Sequence, residues 1–186
     1  MRLIIPSLFA APAVVRLLAE KALVVGVLVL AFGLLSTAII VPSAANAQDA
    51  RVAKSMAALK DQTAKLGAPK IDGKDAVGGK DAPALYFGST KMNNNAAVVD
   101  EVTKEGGEGM AATLFVKGGD EYIRVATALP KAIGTVLTGP ALDSIKAGKA
   151  YYGETPVLDT PYVTGYEPIK DASGAIIGIY FVGYKK

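Results

Sequence analysis

The order of apolar and polar residues divides the chain into a leader and a patterned body. From Ala22 to Val41 the sequence "ALVVGVLVLAFGLLSTAIIV" carries no charge, with Arg16 and Lys21 before it and "PSAANAQDA" after it. A basic flank, an apolar run and small residues at Ala45 and Ala47 are the layout of a secretory signal, with cleavage expected after Ala47. Twenty such residues would also span a bilayer, so an uncleaved membrane-anchor helix is the rival reading. The predicted organisation is a leader over 1–47 and one domain over 48–186. Within the domain, Val52, Met56, Leu59, Thr63 and Leu66 fall at steps of four, three, four and three, one face of an amphipathic helix ending at Gly67.

Beyond that helix, "APKIDGKDAVGGKDAP" has little to bury and reads as a surface loop, followed by a short strand at "ALYFG". "STKMNNNAAVVDEVTKEGGEG" predicts an Asn-capped helix with Val98, Val99 and Val102 inward. "MAATLFVKGGDEYIRVATAL" gives two β-rich runs around Gly118-Gly119-Asp120, a hairpin signal. The connection after it, "PKAIGTVLTGP", looks short and is expected to add little to any lid. "TGPALDSIKAGK" is a short helix with Pro140 early and Gly148 late. The remaining strands, "AYYGETPVLDTPYVTGYEPIKD" and "AIIGIYFVGY", include a pair joined by a turn at Asp171–Gly174. Hairpin-linked antiparallel strands, a leading helix and two short inserted helices make an α+β domain on one sheet.

Side chains alternate between the two faces of a strand. Tyr162, Thr164, Tyr166 and Lys170 therefore share one face, opposite Val163 and Ile169. Tyr122 and Arg124 likewise oppose Ile123 and Val125. "AIIGIYFVGY" is apolar on both faces, as expected of a central strand covered on both sides, so something must lie over the polar face as well. If the inserted segments do so, Arg124, Lys170 and the tyrosines line a half-enclosed cavity suited to an anion. A guanidinium can grip a carboxylate through two parallel charge-assisted bonds, and phenolic hydroxyls add direction. The competing reading is a solvated cross-strand contact between arginine and tyrosine.

Composition narrows the chemistry. The chain has no cysteine and no histidine. Thiol catalysis, disulfides, imidazole bases and the commonest zinc ligand are therefore absent. An enzyme here would need carboxylate, lysine or metal chemistry. No cofactor, no metal site and no catalytic residue is expected. The chain's 20 basic and 17 acidic residues, less Arg2, Arg16, Lys21 and Glu20 of the leader, leave 17 and 16, a net +1 from Gln48 onward. No basic stripe remains, so a nucleic-acid partner is not expected. Asp100-Glu101 and Asp120-Glu121 are adjacent pairs whose side chains diverge, read as solvated charges. No glycine-rich phosphate loop of the P-loop or Rossmann kind is present.

"ATLFVKGGDEYIRVATAL", "GTVLTGPALDSIKAGKAYYGE" and "PYVTGYEPIKDASGAIIGIYFVGYKK" resemble, in order, the Cache domains of bacterial extracytoplasmic sensors, specifically the single-module kind related to the Cache 3/Cache 2 fusion family. The resemblance implies a long N-terminal helix on a PAS-like antiparallel sheet, with a membrane-distal pocket for small metabolites, often short carboxylates. It supports Arg124 of "YIRV", Tyr151 and Tyr152 of "YYG", and Tyr162, Tyr166 and Lys170 of "PYVTGYEPIK" as ligand-binding candidates. Parity allows only one of Tyr151 and Tyr152 to face inward. Such sensors usually continue into a second membrane helix and an output module, whereas this sequence stops at Lys186.

The expected function is that of an exported, non-catalytic Cache sensor domain, periplasmic or secreted, or anchored to the inner membrane by an uncleaved leader. Its expected ligand is a small organic anion such as a short carboxylate. Any signal, including one used in chemotaxis, would pass through a membrane sensor partner. The alternative is a membrane-anchored structural or protein-interaction module with no small ligand.

Overall fold

The computed structural model describes residues 44–186, with side chains described from Ala50. The expected leader lies outside these residues, apart from its last four. Helix α1 runs from Ala44 to Leu66. It thus begins before the expected cleavage point. Val52, Met56, Leu59 and Thr63 are all buried, as their spacing predicts. Gly67 ends the helix in a left-handed conformation (φ +125°), and its N–H donates to the Ala64 carbonyl at 3.1 Å.

The segment after α1 corrects the reading as a loop. Strands β1 (Pro69–Val77) and β2 (Lys80–Phe87) form an antiparallel hairpin, and the short β3 (Thr90–Lys91) completes a three-stranded sheet in the order β1-β2-β3. Among the described residues there are consequently two sheets, where one was expected. Nearly all of β1 is exposed, so no apolar alternation marked it as a strand. What defines it is backbone pairing and the turn at Gly78-Gly79, where both residues have positive φ (57° and 80°). Two left-handed residues in a two-residue turn match the twist of the flanking strands.

The three asparagines are also corrected. Helix α2 (Ala97–Gly106) has no side-chain cap at its first residue. Asn93 instead accepts from the Leu85 N–H at 2.9 Å and donates to the Pro83 carbonyl at 3.0 Å. Asn94 donates to Ala76 at 2.9 Å, and Asn95 to Lys91 at 3.1 Å. These amides pin the hairpin sheet, because side-chain amides can satisfy backbone groups that no strand reaches. Asn95 alone touches the helix start, accepting from the Ala97 N–H at 3.1 Å. Val99 and Val102 of α2 are buried, and Val98 is half-buried.

The second sheet is antiparallel throughout. Its strands are β4 (Met110–Gly118), β5 (Glu121–Thr127), β6 (Tyr151–Val157), β7 (Thr160–Lys170) and β8 (Ile176–Lys185), in the order β5-β4-β8-β7-β6. β8 is the central strand, buried from Ile177 to Tyr184, as its two apolar faces predict. α1 and α2 cover one face, where Val52, Met56, Leu59 and Val102 pack with Val163, Ile169 and Val182. Phe115, Tyr166, Ile179 and Phe181 lie on the other face, beneath helix α3 (Pro140–Lys146). Seven residues are too few for a stable isolated helix. α3 is held by Ala141 and Ile145, one turn apart and fully buried. Asp171 closes the β7–β8 turn, accepting from the Ser173 and Ala175 N–H groups at 2.9 and 3.1 Å.

The connection between β5 and α3 is the element that shapes the second face. After a 3-10 turn at Pro130–Ala132 it doubles back along β5. Gly134 donates to the Arg124 carbonyl, Arg124 to that of Thr135, and Leu137 to that of Tyr122, each at 2.9 Å. A free sheet edge is thereby covered.

Candidate functional site

A cleft of about 340 Å³ opens on the α3 side of the five-stranded sheet. Three pieces of chain build it: Arg124 of β5, residues 135–140 of the doubled-back connection, and the end of β6 from Glu154 to Leu158, with Tyr166 of β7 in the floor. The connection therefore supplies a whole wall, contrary to the expectation that it would add little.

Arg124 is the central feature. It is only 7% exposed, yet no described carboxylate forms an ion pair with it. One terminal nitrogen donates to Thr135 Oγ1 at 2.8 Å, and that hydroxyl in turn donates to the Ala132 carbonyl at 2.7 Å. The guanidinium lies over the Phe115 ring, 4.9 Å from its centroid. Nε is buried and has no hydrogen-bond partner. Loss of solvent draws the guanidinium's pKa down from its ordinary value, and nearby Tyr166 works in the opposite direction. The group remains a cation regardless, because arginine does not deprotonate in proteins. Parity explains its position: Arg124 must face away from α1, since Ile123 and Val125 on either side are in the core beneath that helix.

Tyr166 is buried, its ring 4.8 Å from that of Phe181 and edge-on to that of Tyr151 at 6.1 Å. Its hydroxyl is 3.2 Å from Thr155 Oγ1, which lies equally far from Thr164 Oγ1. Burial pushes the Tyr166 phenol's pKa up, so it stays protonated and polar. The wall thus combines one cation, several hydroxyls and apolar surface from Val136, Leu137, Pro156 and Val157.

Of the residues expected from sequence, only Arg124 and Tyr166 line this cleft. Tyr162 is buried in the layer beneath α3. Tyr122 shares that layer and borders a separate hollow with Lys117, Asp120, Lys146 and Ile176. Lys170 is exposed at the far end of β7. Tyr151 is the inward member of the adjacent pair, half-buried with its hydroxyl 3.3 Å from the Glu154 carbonyl it donates to. Tyr152 is on the opposite face, 48% exposed, and donates to Glu167 Oε1 at 2.5 Å. Sharing a face did not bring these groups together, because α3 occupies the middle of that face. Thr135, Glu154 and Thr155 were not anticipated. Parity with Gly153 and Val157 could have found Thr155; no strand pattern marks Thr135, which sits in irregular chain.

Comparison with known families identifies the architecture. The family model of the Cache 3/Cache 2 fusion domain matches residues 36–186. The chain belongs to that family, and the two antiparallel sheets and three α-helices of the described residues are consistent with the PAS-like Cache fold. Cache domains are extracellular or periplasmic sensory modules, and this chain is one by descent. No curated protein matches the chain. Among the described residues, no helix is long and apolar enough to cross a membrane.

Proposed function

We propose that this Cache domain is an exported, non-catalytic receptor for a small organic anion, a short carboxylate, bound in the cleft beside Arg124. The observation that carries the reading is a buried guanidinium that lines open space, with no acidic partner among the described residues. An uncompensated buried charge costs several kcal/mol, and folds keep one where something else compensates it. A carboxylate ligand would do so, accepting charge-assisted hydrogen bonds from the terminal nitrogens of the guanidinium. Tyr166 and the threonine hydroxyls offer further polar contacts, and the apolar wall suits a short carbon chain. A signal from such a site would reach the cell through a partner protein.

Thermal melting of the purified chain against a panel of small carboxylates and amino acids tests the proposal. At a hundredfold excess over its dissociation constant, a true ligand stabilises by about 2.7 kcal/mol. The expected result is a shift with at least one short carboxylate, lost on Arg124→Ala. No shift with any member, or shifts unchanged by the substitution, would refute it.

A further inference from the structure

The hydroxyls in the cleft floor form a chain whose protons can be placed. Thr164 Oγ1 donates its single proton to the Gly153 carbonyl at 2.7 Å. Towards Thr155 Oγ1, 3.2 Å away, it can therefore only accept. With the Thr155 proton so engaged, the 3.2 Å contact between Thr155 Oγ1 and the Tyr166 hydroxyl has Tyr166 as its donor. Strand pairing agrees, because Gly153 and Thr155 of β6 share a face with Thr164 and Tyr166 of β7. The chain runs one way, from Tyr166 through Thr155 and Thr164 to a backbone carbonyl that has no proton to return.

Towards the cleft, the Tyr166 oxygen is thus left with lone pairs and no proton. Arg124 presents only donors. The guanidinium lies over Phe115 of β4 and the Tyr166 ring against Phe181 of β8, so the two side chains approach each other over the middle of the sheet, near enough to interact electrostatically. From this arrangement we infer that the ligand is a hydroxy acid, a short carboxylate whose own hydroxyl donates to Tyr166 while its carboxylate faces Arg124. The inference rests on the anion reading above. An oxo acid would turn carbonyl lone pairs toward those of the phenol, and an unsubstituted acid would leave the phenol oxygen without a partner. Both lose binding relative to the hydroxy acid. An amino acid meets a different obstacle. Its ammonium has protons to give, but no described carboxylate faces the cleft to neutralise it: Glu154 alternates with Thr155 to the other face of the sheet, where its Oε1 is 2.7 Å from Lys186 Nζ.

The test is calorimetric titration of the purified chain with hydroxy acids of three to five carbons, the hydroxyl at each position in turn, each beside its oxo, amino and unsubstituted counterparts. Wild type is expected to bind its best hydroxy acid about tenfold or more tighter than any of the three counterparts. Tyr166→Phe removes the acceptor and keeps the ring, and should bring the ratio of hydroxy to unsubstituted acid close to one. Thr155→Val takes away the acceptor of the Tyr166 proton and frees it to turn into the cleft, so the oxo acid should gain about tenfold on the hydroxy acid. A purely structural role for Thr155 would weaken both alike. The wild-type ratios decide the matter even where a variant does not fold. Wild type binding any counterpart as tightly as the hydroxy acid, or a ratio unmoved in either folded variant, would overturn the hydroxyl assignment while leaving the carboxylate receptor standing. Absence of binding by every acid would overturn both.

Discussion

Replacing Arg124 by methionine separates a ligand-binding guanidinium from a structural one. Methionine keeps much of the length and apolar stem but removes the charge. The losses are one charge-assisted hydrogen bond to Thr135, about 1.5 to 3 kcal/mol, and the stacking on Phe115, about 0.5 to 2 kcal/mol. Thr135 is not left unsatisfied, because its hydroxyl keeps the bond to Ala132. Against these losses stands relief from burying an ion without a counter-charge, again several kcal/mol. The terms nearly cancel, so the unliganded variant should lie within about 1 kcal/mol of wild type, or be more stable, a change of no more than about 3 °C in Tm on the low side. Wild type with its best short carboxylate at a hundredfold excess over the dissociation constant should gain about 2.7 kcal/mol, or about 8 °C, and the variant nothing. The assay is paired melting curves with and without that acid. A loss of more than about 3 kcal/mol in the unliganded variant would show that the guanidinium supports the fold, and the argument from an uncompensated charge would fail.

Other outcomes follow from packing and charge. A Cβ on Gly78 would stand 2.7 Å from the Gly134 Cα and 2.8 Å from the Ile133 carbonyl, and its φ of +57° disfavours any other residue. Gly78→Val should therefore cost about 2 kcal/mol or more in urea unfolding, and weaken ligand binding too by displacing the wall that carries Thr135. Asn93→Ala strips partners from Leu85 N–H and Pro83 C=O and should cost about 2 kcal/mol, whereas Asn95→Ala, at the exposed helix start, should cost under about 1 kcal/mol. For Glu167, burial raises the carboxyl pKa, but bonds from Lys60 at 2.7 Å and from Tyr152 outweigh it and hold the value below the ordinary 4.5. Its contribution is thus complete above pH 4.5 and lost as pH falls through the lower folded value. Glu167→Gln should flatten the acid limb of a stability–pH profile, and an unchanged limb would remove this group from the account.

Where burial is periodic, the sequence by itself determined the structure. The face of α1, the central position of β8 and the placing of Arg124 opposite Ile123 and Val125 follow from periods of 3.6 or 2, because a residue's side of an element is set by backbone geometry, while Gly118-Gly119-Asp120 and the Pro140/Gly148 pair marked the β4–β5 hairpin and α3. The same rule separated Tyr151 from Tyr152 without saying which turned inward. Tertiary structure decided whatever depends on a partner remote in sequence. β1 is a strand through its pairing with β2, not through its own polar residues, and Asn93 is a staple because Pro83 and Leu85 pass beside it. The cleft is the clearest case. Parity placed six of the seven candidate side chains on one face, but the seating of α3 and the return of residues 134–137 along β5 left two of the seven, Arg124 and Tyr166, lining open space. Which groups converge depends on distances across the sheet and on what covers it, and local periodicity carries neither.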